Sequence, residues 1–225
     1  MKRGKKGSSS VKRTLYFIII FTFIAFLFNL FVSYLYFFSL ISYGTLEFAS
    51  DAAVSFAFSC SAVAYLLVVD KKKKTGVAKR LGLGGSALSI RNVLFGLMLF
   101  AIILLLEIAA GLVSSVTGIQ INTNANLLFA GAPAWFYVFA VVVAPINEEI
   151  MFRGLMVPRI GILLSSIFFA LPHATYDSSF FIEVIAAFIF GVLAGYVYKR
   201  TNSLYPSIVA HMLVNLITVT SILSV

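Results

Sequence analysis

Charge is what this sequence has least of. Only 11% of its 225 residues are Asp, Glu, Lys or Arg, while 61% are hydrophobic and the mean hydropathy is +1.03. A water-soluble domain carries about a quarter charged residues to cover its surface. This chain cannot do so, and lipid is therefore the solvent for most of it. Cysteine is nearly absent: a lone Cys60 excludes an internal disulfide framework and, inside an apolar run, reads as a small buried hydrophobe. No internal repeat is evident. Histidine is reduced to His173 and His211.

What charge there is falls in clusters. The net charge of +9 does not point to nucleic acid, because the basic residues sit in short groups beside apolar runs, as topology signals and anionic-lipid contacts do. Stretches long enough to cross a bilayer run over 15–41, 48–69, 91–112, 133–152, 160–173, 179–198 and 203–222. The first is too long for a signal-peptide core and has no small-residue cleavage site after it, so it is expected to be a retained membrane helix. The fifth is short and is expected to stop within protein or continue irregularly. The fold expected is all-α: a polytopic bundle of about seven transmembrane helices in the cell membrane.

Alternating the chain across the bilayer from a cytoplasmic N-terminus puts all seventeen Lys and Arg on one side. The basic tail 1–14, Lys71–Lys74 with Lys79, Arg80 and Arg91, then Arg153 and Arg159, then Lys199 and Arg200 all fall inside. Glu47, Asp51, Glu107, Asp177 and Glu183 fall toward the other face. An N-in, C-out orientation follows from the positive-inside rule. The Gly-rich segment 75–89 reads as an interfacial loop or short amphipathic piece, and 117–132, with Asn122, Asn124 and Asn126, as an outside loop. Residues 15–132 form an N-terminal set of helices and loops, and 133–222 a core that carries ionisable and amide groups within its helices.

Those groups are out of place in lipid. Glu148 and Glu149 lie in an apolar helix, where each carboxylate costs at least ~2.5 kcal/mol on insertion scales and so calls for a partner or a function. Glu149 and Arg153, four apart, share a helix face and can pair, which leaves Glu148, about 100° further round, free to face something else. Pro145, one turn earlier, removes a backbone hydrogen bond. Phe169 with His173, and His211 with Asn215, are likewise four apart and share faces. Counted from Arg159 at ~1.5 Å per residue, Glu149 lies roughly 15 Å from the inner face and His173 roughly 21 Å. Counted from Arg200, His211 and Asn215 lie roughly 16 and 22 Å deep. Three helices thus bring polar groups to a similar level, which marks a site.

EEIMFR at 148–153, FALPH at 169–173 and HMLVN at 211–215 match the patterns EExxxR, FxxxH and HxxxN in order. In this the sequence resembles the CPBP family of CAAX proteases and bacteriocin-processing enzymes, intramembrane endopeptidases related to the prenyl-protein protease. The resemblance covers residues 133–222, with no departure at the motif positions. It implies that Glu148 is the general base for a water attacking a peptide carbonyl, and that His173 holds that water. It further implies that His211 and Asn215 stabilise the oxyanion, while Glu149 and Arg153 shape the cavity. The family is often termed metalloproteases, and two His with one or two Glu are a donor set zinc can use. Glu-activated water aided by imidazole needs no metal, and this is the preferred route. The partners implied are membrane lipid and a protein or peptide substrate, lipidated or a precursor. Two other classes also accommodate mid-membrane polar groups: a non-proteolytic scaffold or immunity protein of the same fold, and a proton-coupled transporter.

Overall fold

The computed structural model describes residues 4–70, 75–117, 129, 131–175 and 180–224. Among these every regular element is helical. Six helices are long and apolar enough to span a membrane, and the seventh apolar stretch, Ile162–His173, is shorter. The expected count of about seven therefore resolves into six full-length helices and one short one. The chain is a multi-pass membrane protein. The tetralysine 71–74, Asp177 and the three loop asparagines lie outside the described residues.

The molecule divides into two compact units, Met1–Val77 and Ala78–Val225. The first is a hairpin of α1 (Gly4–Phe37) and α2 (Tyr43–Val68). Its turn contains Ser39 at φ 57°, and α1 begins at Gly4, so much of the basic segment 1–14 is helical rather than a tail. The helices meet through aromatic pairs that run in opposite order along them: Phe17–Tyr65, Phe21–Phe58 and Phe28–Phe56, with centroids 5.9, 5.6 and 6.3 Å apart. The buried face of α2 is rich in Ala and Ser, including Ala53, Ala57, Ser61 and Ala62. Cys60 lies off that face and is exposed, contrary to expectation. A thiol is apolar enough to face acyl chains at little cost, so nothing forces it inward.

The second unit holds α3 (Val77–Leu81), α4 (Ile90–Thr117), α5 (Ala134–Ile160), α6 (Ile162–Ala170), α7 (Phe180–Thr201) and α8 (Tyr205–Leu223). The segment expected as an interfacial loop or short amphipathic piece contains the short helix α3 and is docked on the second unit's other elements. Leu204 N–H donates to Gly82 O, and Ser203 Oγ donates to Ala87 O. Gly82 has φ 80°, and a Cβ there would sit 3.0 Å from the Asn202 carbonyl oxygen, so glycine is required by both backbone and space. The ends of α5 and α7 that bear Arg159, Lys199 and Arg200 meet nearby, where Gly195 faces Val157 and Ile162.

Arg153 corrects the topological reading. It was expected in an inside loop between the fourth and fifth spans. Instead α5 continues to Ile160, and Arg153 is 1% exposed within it. The helix persists because a buried carboxylate is there to receive the guanidinium. It ends at Gly161, whose φ of 89° no side chain would favour, and α6 starts at once. The short fifth stretch does continue irregularly, as a 3₁₀ turn over Leu171–Thr175 that carries His173.

α5 is not a uniform α-helix. Phe139–Val143 and Ile150–Met156 are π-helical. In each, the N–H just past the stretch reaches back five residues, Ala144 to Phe139 O and Val157 to Phe152 O. The next residue is Pro145 or Pro158, which has no N–H to give. The Glu pair lies between these two widened turns, a placement frequent at functional sites.

The GxxxG of α7 packs closely, as its small residues suggest: a Cβ on Gly191 would fall 2.9 Å from Ser166 Cβ on α6. Gly191→Val should therefore destabilise the protein by about 1–3 kcal/mol through overpacking. Gly111→Ala on α4, where a Cβ meets nothing within 4 Å, should be neutral or stabilising. Thermal unfolding in detergent checks both, and equal losses would contradict the packing described.

Candidate active site

α5 supplies the centre of the site. Glu149, fully buried, accepts a hydrogen bond from Arg153 Nη1 at 2.9 Å on its Oε1. This is the i, i+4 pair expected from the spacing, closed in the interior rather than at the surface. The same oxygen lies 2.9 Å from His211 Nδ1 on α8. An ionised carboxylate only accepts, so Nδ1 carries the proton and Nε2 is turned the other way. Nε2 lies 3.9 Å from Oε2 of Glu148, whose side chain keeps 21% of its exposure. The two carboxylates are thus differentiated. Glu149 is committed to a cation and an imidazole, and Glu148 is the accessible one.

Phe169 joins α6 to this group. The Arg153 guanidinium lies 4.1 Å from its ring centroid, a cation–π contact in a desolvated setting. Arg153 Nη2 finds no hydrogen-bond acceptor among the described residues, so the aromatic face is its environment. The His173 and His211 rings lie 5.1 and 5.7 Å from Phe169. His173 Nδ1 is 3.0 Å from Phe169 O, one turn back. A carbonyl accepts only, so this ring too is held with Nδ1–H inward and Nε2 available.

Asn215, one turn beyond His211, has its amide nitrogen 2.8 Å from Ala140 O and donates to it. The structure therefore gathers Glu148, Glu149, Arg153 and His211 by direct polar approach and brings His173 beside them through Phe169. Asn215 is bound to the backbone of α5 rather than to the carboxylates. One contributor escaped the sequence reading: Phe190 on α7, whose ring lies 5.0 Å from His211 and 5.2 Å from the Arg153 guanidinium carbon. An unremarkable Phe in an apolar helix gives no sign of this; its only hint is its place next to Gly191, where α7 approaches closely.

Glu149 is spent on Arg153 and His211, and each histidine turns Nδ1 to a protein oxygen, which leaves Nε2 of both rings and the Glu148 carboxylate as the donors a zinc ion could use. Among the described residues no three of His, Cys, Asp and Glu gather as a site of three protein ligands needs.

The family model described as type II CAAX prenyl endopeptidase Rce1-like matches residues 129–217. That stretch is an Rce1-like domain. It includes all of α5 and α6, the whole of α7, and α8 through Asn215, so every polar group above falls within it. The Rce1-like family is one of integral membrane peptidases, which places peptidase activity with this domain at the level of the family. No curated protein and no solved structure matches the chain.

Buried on both sides, the Arg153–Glu149 pair should be costly to break singly. Arg153→Met would leave Glu149 uncompensated and should lose about 3–5 kcal/mol. Glu149→Gln with Arg153→Met should recover most of that loss. Unfolding in detergent decides: the account fails if Arg153→Met costs as much beside Glu149→Gln as it does alone.

Proposed function

We propose that the protein is an intramembrane endopeptidase that hydrolyses a peptide bond with a water activated by Glu148. The observation carrying this reading is the split between the two carboxylates. Glu149 is locked by Arg153 and His211, while Glu148 is accessible and 3.9 Å from His211 Nε2, in a segment that matches a peptidase family.

On this reading a water binds between Glu148 and His173 Nε2, which accepts one of its hydrogens. Glu148 takes the other proton as the oxygen attacks the scissile carbonyl carbon. The oxyanion that forms accepts hydrogen bonds from protonated His211 Nε2, whose imidazolium Glu149 stabilises from behind, and from the second amide N–H of Asn215. Glu148 then delivers its proton to the leaving nitrogen. The C–N bond breaks to give an amine and a carboxylic acid that keeps the water's second hydrogen, and the acid releases that proton to solvent as it leaves. Arg153 and Phe169 keep Glu149 and the imidazoles in place.

The substrate proposed is a membrane-associated protein or precursor peptide whose scissile bond reaches the cavity from the cytoplasmic side, in the N-in, C-out orientation expected from the basic clusters. A prenylated C-terminal CAAX segment is the substrate the family's description suggests.

The experiment compares the membrane proteomes of cells expressing the wild type, Glu148→Ala or His173→Ala. Both variants should insert and accumulate normally but lose the wild type's new protein termini, with cleavage down by at least ~10²-fold for removal of an acid–base group. Unchanged processing by both would sink the peptidase reading in favour of a scaffold or immunity protein, whose work would survive the same substitutions.

A further inference from the structure

Asn215 is the second polar group that α8 sends toward α5, and it lands on a carbonyl. In a helix each carbonyl accepts from the N–H four residues on, or five in a π turn. Ala140 is offered neither. The N–H of Ala144 is donated to Phe139 O, and position 145 is proline, with no N–H at all. A carbonyl left unpaired away from water costs up to about as much as a lost hydrogen bond, and Ala140 is part-buried. The amide of Asn215 meets it at 2.8 Å, from 75 residues away in the chain.

We infer that Asn215 is also a positioning residue: one of its two amide hydrogens supplies the N–H that Pro145 withholds from Ala140 and so pins the π turn before the Glu pair to the turn of α8 that bears His211. Asn215 to Ala140 and His211 to Glu149 both tie α8 to α5. Lying nine residues apart on α5 and four apart on α8, these two bonds hold rotation and register together, and with them the gap between Glu148 and His211. The role requires a donor of this length, so a carboxylate of equal size cannot fill it. The argument is one of helix hydrogen bonding and holds whether or not the protein hydrolyses peptides.

The test is a double-mutant cycle on the full-length protein in detergent micelles, with Asn215→Ala, Pro145→Ala and both together. Asn215→Ala should lower Tm by about 2–4 °C in the native background. It should cost less than half as much beside Pro145→Ala, which returns an N–H to the helix, and Asn215→Asp should behave as Asn215→Ala does. Equal losses in the two backgrounds would overturn the inference. A second measurement avoids the Pro145 variant: the carbonyl ¹³C resonance of Ala140 should move upfield in Asn215→Ala, and an unmoved resonance would also overturn it. Loss of peptidase activity plays no part in either readout, so failure here is distinct from failure of the proposed function.

Discussion

One buried carboxylate organises the second unit. Glu149 is inaccessible to water, and an ion in that position persists only if protein replaces its hydration. Arg153 supplies a cation from the same helix and His211 an N–H from another. The consequences spread outward. Arg153 must itself be accommodated, which Phe169 and Phe190 do with their ring faces. His211 must turn Nδ1 inward, which presents Nε2 to Glu148. The asymmetry between two adjacent glutamates follows from which of them the helix turns toward Arg153.

Proline shapes the helix that carries them. Pro145 and Pro158 each withhold an N–H and each follows a π-helical stretch. The carbonyl that Pro145 leaves open, Ala140 O, is served by Asn215 from α8. Beside the second stretch, Phe152 O accepts from Ser165 Oγ at 2.6 Å as well as from the N–H of Val157. Irregular backbone at membrane depth is thus confined to places where neighbouring helices satisfy it.

Much of this could be read in the residue order. Hydropathy located the apolar stretches because lipid admits only long apolar helices. The shortness of the fifth was visible because Arg159 and His173 bound it. The i, i+4 rule found the Glu149–Arg153 pair, since that contact is local. It misled on Arg153's surroundings, because basic residues in membrane proteins usually mark loops and only a buried acid reverses that. The His211–Glu149 bond joins residues 62 apart; the sequence brought them to similar depth but could not say which nitrogen would face which carboxylate. Cys60 and Phe190 were opaque for a simpler reason. In a chain solvated by lipid, an apolar residue can face in or out at little difference in free energy, so composition does not choose for it.

The orientation of the His211 ring is the claim on which the rest stands, and ¹⁵N NMR of the imidazole tests it directly. With His173→Gln, His211 is the chain's single imidazole. The account predicts a protonated Nδ1 hydrogen-bonded to a carboxylate, with a resonance that shifts on Glu149→Gln. A neutral ring with a bare Nδ1, indifferent to that substitution, would contradict it.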